Sequence, residues 1–250
     1  MNKFDLDLKL LAGLPLEVED IIIEPKKLRE IIGMNYSVYN KHIGFLTITH
    51  TDLYSKETLE EYQELKKVTI FDVLVFLAGE ELKQEFINSL HYFLGTYKHE
   101  IDSESGILIL EKGKKDYYFL NSSRFARIVD YIKFQNCIEE PKEKIEEQPV
   151  DEKTRKILEK LQKGKQEATK LQSKNNTESN IDFYSIISAV STKSHGINKL
   201  NIWDLTIYQL YDEYKRLSLI DNYETSIQAI MNGADMKGEK LPHWSERIED

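Results

Sequence analysis

From Glu139 to Asn180 the sequence carries almost no apolar residue, holds prolines at 141 and 149, and mixes lysine and glutamate nearly evenly. A segment of that composition cannot bury enough surface to offset the entropy of ordering it. It therefore divides the chain into an N-terminal domain over 1–138, a charged and partly helical linker over 139–180, and a helical domain over 181–250. Within the linker Ile157, Leu161, Ala168 and Leu171 fall near heptad spacing, but Gly164 occupies the intervening seam position. That pattern is read as a solvated helix in preference to a coiled coil.

In the first part, Val18 to Ile23 reads as a strand closed by Glu24 and Pro25, and Lys26 to Ile32 as a short helix stopped by Gly33. Helical periodicity follows near 35–50, 57–66, 69–78 and 80–94, the last ending at Gly95, a natural left-handed cap. GILILEKGKKDYYFL suits an antiparallel hairpin over roughly 106–120. Asn121 then caps a helix whose Phe125, Ile128, Val129 and Ile132 share one face. The fold class expected is mainly α: an α+β N-terminal domain with a small antiparallel hairpin, and a C-terminal three-helix domain.

Three amphipathic segments make up the C-terminal part. Phe183, Ile186, Ile187 and Val190 form the stripe of the first, which stops at Gly196. In the second, Trp203, Ile207, Leu210, Tyr211, Tyr214 and Leu217 fall on one stripe of a helical wheel and are expected to face a core. The third is capped by Asp221 or Asn222, carries Tyr223, Ile227, Ile230 and Met231 as its core stripe, and ends at Gly233. Leu205 and Tyr208 project toward the polar side of the middle segment, which makes them candidate partner-binding residues. Trp244, in the tail LPHWSERIED, is the third, with folding back over the helical domain as its structural alternative.

Lysine and arginine number 34 against 43 aspartate and glutamate, a formal net charge of −9. That balance opposes attraction to phosphate backbones and anionic membranes, so neither nucleic acid nor a membrane is an expected partner. Cys137 is the single cysteine, which excludes an intrachain disulfide and fits a reducing cytoplasm. No apolar run approaches a membrane span. The six histidines include no pair at metal-ligating spacing and no HExxH. Gly164-Lys165 and Gly113-Lys114-Lys115 lack the upstream glycine of a phosphate loop, and neither GxGxxG nor GxSxG occurs. No catalytic residue, metal ligand or cofactor is nominated.

Two portions carry a resemblance. LKLLAGLPLEVEDIIIEPKKLREIIGMNYSVYNKHIGFLTI, residues 8–48, joins a short strand, a proline, an LREII-G helix and a tyrosine-rich helix. NIWDLTIYQLYDEYKRL with SIQAIMNGADMKGEKLPHW, within residues 201–244, joins an aromatic helix, a small-residue turn and a terminal His-Trp. Both are similar to small proteins encoded among the tail genes of bacteriophages of Gram-positive hosts, the tail assembly chaperones or tail morphogenesis factors. The resemblance implies a non-enzymatic protein of the host cytoplasm that keeps the tape measure protein soluble while tail tube protein polymerises around it. A virion component of the tail or baseplate is the alternative, and an enzyme acting on nucleic acid or nucleotide is a third reading.

Overall fold

In the computed structural model, which describes residues 2–138, 181–233, 241 and 243–248, the chain opens with a helix that the periodicity does not announce. Helix α1 (Lys3–Leu11) begins at Asn2, whose Oδ1 accepts from Asp5 N at 2.8 Å, and buries Leu10. An Asn cap of this kind satisfies one of the four orphan amides of a helix start. The expected strand over 18–23 is instead a hairpin, β1 (Leu16–Val18) against β2 (Ile21–Ile23), with Val18 opposite Ile21. Leu16, Val18, Ile21 and Ile23 are fully buried on one face. The turn is Glu19-Asp20, with Glu19 at φ 58. Its stabilisation is remote: Arg124 Nε lies 3.0 Å from Glu19 Oε2, Arg124 Nη2 pairs with Asp20, and Arg127 reaches Glu19 at 3.5 Å.

Helix α2 (Leu28–Met34) runs through Gly33, which was expected to stop it, and ends at Asn35, whose φ of 81 breaks the helix. Glu30 holds its start by accepting from Lys27 N at 2.7 Å. The expected helix over 35–50 divides into α3 (Tyr36–Leu46) and the single turn α4 (His50–Leu53), separated where the Thr47 hydroxyl donates back to the Ile43 carbonyl at 3.0 Å. The next stretch is broken into α5 (Lys56–Glu61), a 3-10 turn over Gln63–Lys67, α6 (Ile70–Asp72) and a π turn over Val73–Leu77. Helix α7 (Glu80–Leu94) does end at Gly95, in the left-handed conformation. It buries Phe86, Ile87, Leu90, Phe93 and Leu94.

The expected hairpin is present as β4 (Ile107–Gly113) and β5 (Asp116–Leu120), and a third strand, β3 (Lys98–Asp102), extends it in the order β3-β4-β5. Leu108, Leu110, Tyr118 and Leu120 bury its inner face. Helix α8 (Ser122–Gln135) is capped by Asn121 as read from the sequence, with Oδ1 accepting from Arg124 N at 2.9 Å. Phe125 lies 5.4 Å from Phe71 and 5.3 Å from Phe86, ring centre to ring centre, which ties α6, α7 and α8 into one core.

The C-terminal helices are α9 (Phe183–Lys193), a 3-10 turn over Ile202–Asp204, and α10 (Ile207–Met231). The second and third expected segments are thus one helix of 25 residues. No glycine or proline interrupts it, and Asp221, a proposed cap, instead pairs with Lys193 at the end of α9. The fold class stands as expected, mainly α with an α+β N-terminal part and helices at the C-terminus. Among the described residues, 2–138 and 187–233 group into one compact unit. The linker readings over 139–180, including the heptad positions, lie outside the described residues.

Candidate partner-binding surface

Leu205 and Thr206 begin the region singled out by sequence, and their backbone is already engaged. The Leu205 carbonyl accepts from Leu28 N at 2.8 Å, and Thr206 bridges Lys27 in antiparallel register. Arg29 and Asp204 pair at 2.5 Å beside them. Thr206 then caps α10: its hydroxyl accepts from Gln209 N at 3.2 Å while Gln209 Oε1 accepts from Thr206 N at 2.9 Å. This reciprocal box satisfies two orphan amides. Gln209 Nε2 also donates to the Leu11 carbonyl at 2.9 Å, so the cap fastens α1 to α10. Leu205 and Tyr208 are both half-buried at this seam.

The expected core stripe of the middle segment is only partly inward. Ile207 and Leu210 are buried, whereas Tyr211, Tyr214 and Leu217 are half-buried. Trp203 does not belong to that helix face at all. It sits in the 3-10 turn, where its indole N–H donates to the Lys199 carbonyl at 2.8 Å. Burial pushes the Tyr211 phenol up. It also raises the Asp212 carboxyl, with Arg216 opposing the shift.

Farther along α10 the third expected stripe is only partly covered. Tyr223 is half-buried, whereas Ile227 and Ile230 are exposed and Met231 is exposed to 81%, as is the neighbouring Leu219 to 36%. Leu219, Tyr223, Ile227 and Ile230 follow the spacing of one helix face. The tail comes back to this face: His243 meets the Tyr223 ring edge-on at 5.1 Å, and Trp244 lies 5.3 Å from His243. Arg216 donates to the carbonyls of Trp244 and of Glu246, the latter at 2.8 Å. Trp244 therefore folds back yet stays 40% exposed. Arg216 is eight residues beyond Tyr208, roughly 12 Å along a helix at 1.5 Å per residue. The structure thus leaves Leu205 and Tyr208 half-buried near the start of α10 and places Trp244 separately, beside His243 and Arg216 in the returning tail.

Two other features offer chemistry of a different kind. A cavity of about 430 Å³ lies between the end of α3, α6 and one side of α8. Phe71, Phe125 and Val129 form part of its apolar lining, with Thr49, Ser122 and Asp130 among the polar residues. Three histidines lie in part-buried settings, among them His50, whose Nε2 is 2.9 Å from the Val68 carbonyl. His42 is 3.0 Å from the Ser89 hydroxyl and stacks on Tyr92 at 5.1 Å; His91 is 2.7 Å from the Thr96 hydroxyl and 3.4 Å from His99 Nδ1. Burial lowers the pKa of His42 and His91, and the neighbouring His99 lowers that of His91 further. Burial also pushes the Tyr92 phenol up to about 12 and raises that of Tyr39, which donates to Asn136 Oδ1 at 2.5 Å. Among the described residues no group of three or more His, Cys, Asp or Glu is arranged to hold a metal, and no helix is long and apolar enough to cross a membrane.

Residues 172–249 match the family described as the YomV second domain, a Bacillus phage-type protein family. The matched stretch includes α10, the exposed stripe and Trp244. It supports a phage protein, helical in this region, without specifying its task. No curated protein and no solved structure matches the chain.

Proposed function

We propose that this phage protein is a tail assembly chaperone, a non-enzymatic protein that binds the tape measure protein in the host cytoplasm during tail tube assembly. The observation that carries the reading is the exposed apolar stripe of α10, inside the region similar to the YomV second domain. A stripe with core-like periodicity left in water is what a protein needs if another helix is to complete it. Trp244 extends the stripe from the tail. Leu205 and Tyr208 are nominated as a second contact at the α2 seam, and the tail tube protein as a further partner.

Co-expression with the tape measure protein tests the proposal. A soluble complex is expected from the intact chain, and none from Ile227→Ser combined with Ile230→Ser. Retention of the client by that variant, or no retention by either protein, removes the proposal. A copy number in purified virions comparable to that of tail subunits, measured by mass spectrometry, would instead favour a structural component.

A further inference from the structure

Helix α1 has two apolar faces, and only one of them is buried. Leu10 is buried on the side that α10 covers. On the other side Phe4 is 59% exposed, Leu8 48%, Leu11 48%, and Leu14, just past the helix, 50%. Phe4, Leu8 and Leu11 are spaced i, i+4, i+7, the arrangement of a docking face for another helix. On a helical wheel Asp5 and Asp7 fall on opposite flanks of this row.

The chain shows what chemistry those flanks accept. Arg247, from the tail, pairs with Asp7 and places its guanidinium 6.0 Å from the centre of the Phe4 ring. A cation is thus already held on a flanking carboxylate and over the exposed aromatic, an arrangement favoured by both charge and ring quadrupole. We propose that the Phe4, Leu8, Leu11 and Leu14 row is a docking site for an amphipathic helix of a partner protein, with lysine or arginine flanking an aliphatic stripe. Arg247 occupies one end of the site in the free protein and gives way to the partner's own cation. An anionic lipid surface fits worse, because its phosphates would meet Asp5 and Asp7 in a chain of net charge −9. The inference rests on the reading of a partner-holding protein, but not on the identity of the client.

Fluorescence anisotropy with two synthetic helical peptides and the full chain tests it, one peptide built of leucine and lysine, the other of leucine and glutamate. The leucine-lysine peptide is expected to bind at least about tenfold more tightly than the other, as a complementary rim requires. Leu8→Glu combined with Leu11→Glu should weaken it by about tenfold or more, as loss of central apolar anchors does. Because those substitutions make the protein more acidic, non-specific charge attraction would move the other way. Arg247→Ala should tighten binding by about two- to fivefold, since it frees an exposed ion-pair position. Leu14→Glu, outside the helix, serves if the double variant does not fold.

Equal binding of both peptides, or unchanged affinity in the stripe variants, overturns the proposal. So does binding to phosphatidylglycerol vesicles that the stripe variants abolish, which would make this a lipid-facing helix. A dimer seen by light scattering and lost in the stripe variants would assign the face to a second copy instead. If the tape measure protein is not retained but the peptide binds through α1, the client assignment fails while this surface stands.

Discussion

Helix α8 and the outer half of α10 carry the same signal, apolar residues recurring on one helical face, and the fold treats them oppositely. In α8, Phe125, Ile128, Val129 and Ile132 are buried against the rings of α6 and α7 and the β1–β2 hairpin. In α10, Leu219, Ile227 and Ile230 stay about a third exposed and Met231 is 81% exposed. Periodicity establishes that a stripe exists; what covers it depends on elements distant in sequence or on another molecule. The covered stripe belongs to stability and the open one is the surface proposed for recognition, a division that substitutions can break.

The largest effect is expected inside α8. Ile128→Ala should destabilise the fold by about 2 to 5 kcal/mol, the range for emptying a fully buried aliphatic site, measured by urea denaturation. Asn121→Ala removes the side-chain acceptor at the start of the same helix and should cost about 1 kcal/mol. A smaller change separates the regions by pH. His42 and His91 have folded pKa values below the ordinary imidazole value of about 6.5. The unfolded chain therefore binds more protons between the lowered values and 6.5, so stability is fully present above that window and falls as pH drops through it. Thermal unfolding from pH 7.5 to 5.5 should show this decline, and His91→Gln should flatten it. Least of all, Ile227→Ser with Ile230→Ser should alter stability by no more than about 0.5 kcal/mol per site, as exposed positions do. A cooperative loss comparable to that of Ile128→Ala would mean that the α10 stripe is core after all.

Local signals were legible. Gly95 ends α7 and Asn121 caps α8 because each acts on its own neighbours through backbone conformation or a three-residue hydrogen bond. The β4–β5 hairpin was readable for the same reason. Helix α1 was not: KFDLDLKLL alternates apolar and polar residues over much of its length, and its helical form rests on Asn2 and on the Gln209 contact from α10. The strand read over 18–23 is two strands because Arg124, 104 residues away from Asp20, holds their turn. Leu205 and Tyr208 were read as projecting to the polar side of their segment, and nothing local shows that the Leu205 carbonyl is taken by Leu28. The row on outer α10 escaped because its apolar residues were assigned to a core by default, and the row on α1 because no helix was read there. The excess of Phe4, Leu8 and Leu11 over what one face of a nine-residue helix can hide was the available clue.

The guanidinium of Arg124 touches Glu19, Asp20 and, through Nη1 at 2.5 Å, the Phe119 carbonyl. During synthesis LEVEDIII leaves the ribosome long before that arginine exists. Two adjacent carboxylates in a left-handed, glycine-free turn must wait for a counter-charge more than a hundred residues downstream. The first strands made are thus among the last to be locked, and a nascent chain truncated before position 124 carries their apolar face without its fastening.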